Sequence, residues 1–436
     1  MKQILKINFN SSAMRTILAV LVSGVVIGLL GGVFLKALKL AATVRVWFID
    51  TAVGHSLPGW LAAMLIGSGS TIIAVWMAYH YAQNSPQSAE SDTPRSPEKT
   101  TSPLNEISVN FAGTSLAVGA GLALGPERPA IQMGGAIGRI ISKVFNLGKE
   151  DQQVLLAAAG GAGVATMFNS PLGCAAYTVE TVLKRVNLRI SSMALGVGAI
   201  AVAITRFITG RDVNFMVDFV PYVDFQHLVF FLFLGCIIAV FASLHVAVIT
   251  WLTRFFRLLH LPVFVKAALV GAGIGLLAGI SPDLVGAGES QTQTVINGGY
   301  TLSALGILFI FRFFIGPLSL SASTPGGYFT PVLLLGALSG SMFGMIQSFW
   351  VQAHDISPAA MGLVGMAVAL AAVANAPFTG ILLVLETTGA FSLALPMIAA
   401  VIGAMVVTRI LQTPPLSHGL ENDLARMEYL HLKSKK

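Results

Sequence analysis

Two ionisable residues lie side by side between long apolar, glycine-rich runs of the sequence. Glu127 and Arg128 separate the runs 111–124 and 130–145, within a Gly-Pro-Glu-Arg-Pro segment that starts at Gly125. Ionisable groups at membrane depth are rare and mark a transport pathway or a relay. Helices broken by Pro and Gly are tolerated there only where they line a cavity. Glu127 is therefore predicted to lie in a transport pathway at a helix start; the alternative is a surface-loop glutamate paired with Arg128.

The second half of the sequence contains a partner for this segment. It reads Ser-Thr-Pro-Gly-Gly-Tyr-Phe-Thr-Pro from Ser323 to Pro331, and its two glycines let two backbones approach closely. A helix is predicted to begin near Phe329, because Pro331 then falls in its first turn. Helix starts carry unpaired N–H groups and partial positive charge. Two such starts facing each other would bind an anion without a full positive charge, weakly enough for it to leave again.

Two more blocks repeat between the halves. Asn-Ser-Pro at Asn169 leads to Glu180-Thr, and Asn-Ala-Pro at Asn375 leads to Glu386-Thr, with Asn, Pro, Glu and Thr at the same offsets. The helix starts upstream of each block also share a Pro-to-Gly spacing. Interrupted helices at corresponding positions of two repeats point to the substrate site of a transporter-like fold. The alternative is chance similarity between apolar segments.

The elements that position these residues must lie in a membrane. Of 436 residues, 55% are hydrophobic and 10% charged, whereas soluble domains carry about 25% charge. Apolar runs of uneven length, with 45 Gly and 19 Pro, predict an all-α polytopic membrane protein of broken and tilted helices. The net charge of +7 is interpreted as the Lys/Arg excess of cytoplasmic segments. No nucleic-acid partner is predicted.

The chain is divided into one membrane domain and two short flanking segments. The predicted ranges are 1–14 for a cytoplasmic N-terminal segment, 15–411 for the transmembrane domain and 412–436 for a cytoplasmic C-terminal tail. The domain splits into halves at about 15–210 and 225–411, and a polar loop at 82–106 lies in the first. The predicted location is the cell membrane, as a multi-pass protein of the bacterial inner membrane with both termini cytoplasmic.

These motifs resemble those of the CLC family of chloride channels and chloride/proton antiporters. The family's Gly-Arg/Lys-Glu-Gly-Pro motif is similar to the segment at 125–129, and its Gly-x-Phe-x-Pro motif is met at 327–331. Its Asn-Ala-Pro-Leu and Glu-Thr-Thr signatures are similar to 169–172 and 386–388. The resemblance covers roughly 15–420 and indicates a divergent bacterial-type member without CBS domains.

The resemblance implies an inverted-repeat, CLC-type fold and a homodimer surrounded by membrane lipid. It implies that Glu127 is the external gate, and that the amides of Tyr328 and Phe329, after Gly327, bind the anion. The ionised carboxylate mimics the anion, and protonation neutralises it and lets it leave. The expected substrates are chloride or a similar anion and protons, moved by an antiporter or by a channel of the voltage-gated type.

Other functions are kept as alternatives. They are transport of nitrate or fluoride in the same fold, or an unrelated proton-coupled solute carrier. No enzymatic activity, cofactor or metal is expected, because His55 and His80 have no ligand-spaced partner.

Three positions depart from the family pattern. The Gly-Ser-Gly-Ile-Pro motif has no good match, and Ser85 or Ser88 is the candidate replacement for its anion-binding serine. The tyrosine that closes the inner side falls on Ser417, a candidate anion ligand. The inner proton-relay glutamate falls on Thr181, beside Glu180.

The residues next to the gate also differ. Pro126 has no N–H, so the anion site loses a donor there, and Arg128 adds a cation that should oppose opening. Of the remaining carboxylates, Glu180 and Glu386 are predicted to cap or pack helix ends. Glu289 is assigned to a loop.

Overall fold

The computed structural model describes residues 12–83, 102–210, 214–217, 224–348 and 357–417, without the side chains of 81–83. Within these ranges the chain folds into α-helices joined by short turns, and it forms no strand. The only pairing of the β type there is a single antiparallel bridge between Gly125 and Gly327.

Seven α-helices form the described part of the first half. They are α1 (Ser12–Gly54), α2 (Gly59–Gln83), α3 (Pro103–Gly119), α4 (Glu127–Val144), α5 (Lys149–Phe168), α6 (Pro171–Tyr177) and α7 (Leu188–Thr209). A π-helix, Thr178–Leu183, continues α6.

Eight α-helices form the described part of the second half. They are α8 (Leu228–Leu258), α9 (Val263–Ile280), α10 (Glu289–Ile296), α11 (Leu302–Ser321), α12 (Phe329–Gln347), α13 (Pro358–Ala374), α14 (Pro377–Thr388) and α15 (Ala394–Ile410). Single 3₁₀ turns precede α8 and α15 and follow α9.

The helices are uneven in length, as the composition predicts. Across the described residues, eight are long and apolar enough to cross a membrane. With 43 residues, α1 is roughly 64 Å long at about 1.5 Å per residue, twice the ~30 Å hydrocarbon core, so it must tilt, extend beyond that core, or both. The 7 residues of α6 and the 12 of α14 are too few to cross. The prediction of an all-α membrane protein with tilted and broken helices is confirmed.

The predicted polar loop 82–106 is too long at both ends, since α2 continues to Gln83. Helix α3 already begins at Pro103, and Glu106 is buried in its first turn, where it forms an ion pair with Arg139 of α4. The charge of Glu106 indicates a loop when it is considered alone. Pairing with a buried cation lets it lie inside the protein.

Equivalent positions of the two halves contact each other directly. Gly125 and Gly327 exchange two backbone hydrogen bonds of 2.9 and 2.7 Å. Glu180 of the first half contacts the start of α14, and Glu386 of the second contacts the start of α6. Reciprocal contacts arise when two copies are related by a two-fold axis. The repeat predicted from the sequence is therefore present in the fold, with its axis close to the glycine pair.

The same device breaks the helix in each half. Asn169 ends α5 and Asn375 ends α13, both in the left-handed conformation with φ of 56° and 52°. Asn tolerates this conformation better than most residues. Each Asn is followed by a short helix that begins with Pro, where the missing N–H costs nothing. The Asn-x-Pro blocks therefore end one helix and start the next, as predicted.

The core is built on close helix pairs at the centre of each half. Helix α4 packs on α5 and α12 packs on α13, with Gly134 and Gly336 at matching positions. A Cβ at Gly134 would clash with the Ala159 carbonyl, and one at Gly336 would clash with that of Gly365. Small residues let helix backbones approach closely in membranes. These pairs hold the starts of α4 and α12 in fixed positions.

Candidate functional site

The starts of α4 and α12 meet at the centre of the repeat. Helix α4 begins at Glu127 and α12 at Phe329, 202 positions later. The Gly125–Gly327 bridge lies immediately before both starts and joins them. The predicted helix start near Phe329 is confirmed, and so is the position of Glu127 at a helix start.

The carboxylate of Glu127 occupies the start of α12. Its Oε1 accepts the Phe329 amide N–H at 2.5 Å, and its Oε2 lies 3.3 Å from the Thr330 hydroxyl. The side chain is only 1% exposed, which rules out a surface-loop glutamate. A helix N-terminus favours an anion through its free N–H groups and its dipole. The carboxylate therefore lies where a bound anion would receive the same stabilisation.

Both bridge residues must be glycine for this arrangement. A Cβ at Gly125 or at Gly327 would clash with the Glu127 carboxylate. A side chain at either position would therefore displace the carboxylate from α12. Gly327, the predicted site residue, acts by leaving space for the glutamate.

Aromatic rings surround the amide that binds Glu127. The ring of Phe329 lies 6.4 Å from Phe168, 5.8 Å from Tyr177 and 5.1 Å from Tyr328, between ring centroids, and all four are buried. A site enclosed by apolar surface strengthens electrostatic interactions within it. The predicted role of Tyr328 and Phe329 as anion ligands is untested and stays a prediction.

The residues on either side of Glu127 are both within the protein. Pro126 is the N-cap of α4, and its carbonyl accepts the Ala130 N–H at 3.0 Å. Arg128 follows in the first turn and is 9% exposed. The predicted effects of these two residues on the gate remain predictions.

A large cavity of about 840 Å³ brings together the other candidate residues. Glu180, Thr181 and Ser417 all line it, together with Lys184 and Asn375. We call it the large cavity. The π-helix carries Glu180 and Thr181 to its wall, and π-helical turns are frequent at functional sites. The adjacent Glu180 and Thr181 therefore share one space with Ser417, which is more than 200 positions away.

Glu180 and Glu386 cap helices in opposite halves. Glu180 accepts hydrogen bonds from the amides of Phe378 and Thr379 at 2.9 and 2.7 Å, and from the Thr379 hydroxyl at 2.6 Å. Both carboxylates lie at helix starts, where unpaired N–H groups need acceptors. The capping role predicted for the two glutamates is confirmed.

Glu386 makes the equivalent contacts with the start of α6 in the first half. They come from the amides of Leu172 and Gly173, at 2.7 and 3.0 Å, and from the Ser170 hydroxyl at 2.6 Å. Ser85 and Ser88, by contrast, lie outside the described residues.

Two residues near the gate have little or no signal in the sequence. Thr330 fills a variable position of the Gly-x-Phe-x-Pro pattern, yet its hydroxyl contacts Glu127. Glu289 was assigned to a loop, and this is wrong, since it is the first residue of α10. The left-handed Gly288 that precedes it (φ 102°) starts the helix. A polar residue in the first turn of an otherwise apolar helix could have identified Thr330.

Comparisons with known proteins give consistent results. A family model described as voltage gated chloride channel matches residues 70–409. The H(+)/Cl(-) exchange transporter ClcA of Vibrio cholerae serotype O1 (strain M66-2) is 34% identical over 409 residues, covering 91% of this chain and 86% of that protein.

Solved structures share the architecture. The X-ray structure of a slow cyanobacterial Cl⁻/H⁺ antiporter matches with a TM-score of 0.87 and 26% identity, covering 95% of this chain and 99% of that one. A CLC-type fluoride/proton antiporter matches with a TM-score of 0.72 over 90% of this chain and 95% of that one; at 18% identity it shares the fold alone.

Proposed function

The chain belongs to the voltage-gated chloride channel family, and we propose that it exchanges chloride for protons across a membrane with Glu127 as the gate. The observation that carries this proposal is the contact between the Glu127 carboxylate and the Phe329 amide at the start of α12. Relatives named as H⁺/Cl⁻ exchange transporters, 34% identical to this chain, support the choice of substrates.

The exchange follows from competition for one helix start. While Glu127 is ionised, its carboxylate occupies the α12 start and excludes an anion. Protonation removes the charge, and a neutral carboxyl group accepts the Phe329 N–H less strongly than a carboxylate does. Chloride can then replace it. The proton leaves with the side chain, and its release returns the carboxylate to α12, so each cycle moves an anion and a proton in opposite directions.

The large cavity provides the other end of the anion pathway. Ser417 can donate a hydrogen bond to the anion from its hydroxyl, and the amides of Tyr328 and Phe329 complete the set of ligands. Thr181 and Glu180 are the candidates for a proton relay on this side. Glu180 would have to leave the α14 start to carry a proton, because both of its oxygens are engaged there.

Channel-like leak is the second candidate behaviour. A serine at position 417 closes a pathway less completely than a tyrosine, and it lines a cavity of about 840 Å³. Chloride flux in excess of proton flux would identify this behaviour. Nitrate or fluoride flux faster than chloride flux would instead change the assigned substrate.

The proposal extends to assembly and location. The protein is a homodimer in the bacterial inner membrane, with both termini in the cytoplasm, and the excess of Lys and Arg in the flanking segments supports this orientation. Cysteines introduced at each terminus should react with impermeant reagents only in inverted vesicles. Subunit counting in liposomes should give two copies.

The Glu127→Gln substitution tests the gate. Gln cannot be ionised, so the α12 start stays open to the anion and no proton is carried. In proteoliposomes with a chloride gradient, the wild type should move chloride and protons in opposite directions. The variant should abolish proton flux and keep chloride flux. If the wild type moves no halide or nitrate, or if the variant behaves like the wild type, the gate assignment fails.

A further inference from the structure

A smaller cavity lies beside the gate on the side away from the N-terminus. Its volume is about 330 Å³, and Lys36, Lys39, Glu289 and Thr330 are among its lining residues. We call it the Thr330 cavity. Lys36 lies 24 residues beyond the start of α1, roughly 36 Å along the helix at about 1.5 Å per residue. The cavity therefore lies toward the end of α1 opposite Ser12, and we call this the outer side.

Thr330 connects this cavity to the gate. Its side chain lines the cavity, and its hydroxyl lies 3.3 Å from Oε2 of Glu127. Glu127 is itself only 1% exposed, so a proton from the outer water needs a route to it. The Thr330 cavity reaches within one hydroxyl group of the carboxylate.

The fold holds Glu289 at the wall of this cavity. The guanidinium of Arg312 donates to the carbonyls of Gly286, Val285 and Asp283, at 2.6, 2.9 and 3.1 Å. The Gly286 amide also donates to the Gly121 carbonyl at 2.7 Å. These bonds fix the segment that leads into α10, and Glu289 is the first residue of that helix.

The Glu289 carboxylate makes no contact, among the described residues, that ties α10 to its neighbours. In the ranges that the structure describes, its carboxylate has no hydrogen-bond or ion-pair partner. It is open to the cavity yet surrounded by protein, and this environment raises the pKa of Glu289, while the positive charge of Lys39 opposes the shift. Of the described residues that line the cavity, Lys36 and Lys39 are the other charged ones, and Thr330 connects the cavity to Glu127. Helices α12 and α13, which pack on α10, add no charged residue of their own in the described ranges.

We propose that Glu289 is the outer proton relay of this transporter. Its carboxylate takes a proton from water at the mouth of the Thr330 cavity and passes it, through water in the cavity, to the Glu127 carboxylate. Glu289 is then ionised again and Glu127 is neutral, so charge is conserved. In the reverse direction Glu289 accepts the proton that Glu127 releases. The positive charges of Lys36 and Lys39 favour the return of Glu289 to its ionised form. This proposal rests on the proposed exchange of chloride for protons.

The Glu289→Gln substitution tests the relay. Gln keeps the size and polarity of Glu but carries no transferable proton. Removal of a proton-transfer group slows a reaction strongly, so coupled exchange should fall about tenfold or more in proteoliposomes. Glu289→His should restore part of the rate, with a pH profile that follows the imidazole. Glu150→Gln, at an exposed position on α5, is the matched control and should leave the rate unchanged.

Repeating the substitution in the Glu127→Gln variant distinguishes a relay role of Glu289 from a structural one. Chloride flux through Glu127→Gln needs no proton, so adding Glu289→Gln should leave that flux unchanged. Equal loss of flux in both backgrounds would mean that Glu289 supports the fold, and the relay would be rejected. Unchanged exchange in Glu289→Gln alone would also reject it, while the gate would stand. If the wild type exchanges no protons, the relay falls together with the proposed function.

Discussion

The gate at Glu127 and the helix caps at Glu180 and Glu386 bind a carboxylate in the same way, but only the caps follow the two-fold symmetry of the repeat. In both, a glutamate of one half lies on the start of a helix in the other half. At the caps the arrangement is reciprocal, since Glu180 binds α14 and Glu386 binds α6. At the gate it is one-sided, because the position equivalent to Glu127 is Phe329, whose amide is the donor.

This difference distinguishes contacts that stabilise the fold from a contact that can exchange with an anion. At the caps each glutamate accepts hydrogen bonds from the free N–H groups of a helix in the other half, so movement of either one would leave a helix start without its acceptor. At the gate one carboxylate meets one helix start, and the second carboxylate that symmetry would supply is absent. The same helix start can therefore hold either Glu127 or an anion. An exchangeable site arises where the repeat is broken, and a fixed contact arises where it is kept.

The largest effect is expected at the gate, from a substitution that keeps Glu127 away from the α12 start. The Gly327→Ala substitution adds a Cβ that clashes with the Glu127 carboxylate, so the gate should be held off α12. Proton coupling should be lost, and chloride flux should resemble that of Glu127→Gln. Gly326→Ala is the control, since its Cβ meets the Leu124 side chain instead. Normal coupling in Gly327→Ala would show that the clash is relieved without moving the glutamate.

Substitution of either cap should lower stability. Glu386→Gln keeps one acceptor oxygen for the three donors but makes their hydrogen bonds neutral, which should lower the free energy of unfolding by about 1–3 kcal/mol. Glu180→Gln should cost more, because both oxygens of Glu180 accept hydrogen bonds and the amide NH₂ would face a donor. Thermal unfolding in detergent would measure both losses, with the larger drop in melting temperature for Glu180→Gln. The proton-to-chloride ratio should stay at the wild-type value in both. Loss of coupling in Glu180→Gln alone would instead identify Glu180 as the relay on the large-cavity side.

The smallest effect concerns the large cavity. Ser417→Tyr should fill part of the space next to Glu180 and Thr181 and slow chloride entry. Chloride flux in the Glu127→Gln background should fall a few-fold, because that background leaves this end of the pathway as the main restriction. Ser417→Ala is the control and should change the flux less. Faster flux in Ser417→Tyr would place the restriction elsewhere.

Much of this comparison is visible in the sequence because it depends on local spacing. Asn169 and Asn375 end helices, and Glu127 and Phe329 begin them, as the motifs predict. Each of these helix ends is determined by a few neighbouring residues. The capping or packing role of Glu180 and Glu386 was also predicted, but the helices that they cap lie in the opposite half.

Contacts across the repeat could not be predicted in the same way. The bridge between Gly125 and Gly327, and the contact of Thr330 with Glu127, join residues about 200 positions apart. Glu289 was misassigned because the bonds from Arg312 that shape the preceding segment come from another helix. Glu106 was misassigned because its partner Arg139 is 33 positions away. Local spacing contains no information about these partners.

The reciprocal caps also set an order of events during synthesis. The amides of Leu172 and Gly173 receive their acceptor only when residue 386 has been made, 214 positions after the first of them. Until then the start of α6 has no partner at membrane depth, and Glu180 has no helix to cap. The first half of the chain therefore stays incompletely bonded until the second half has been made.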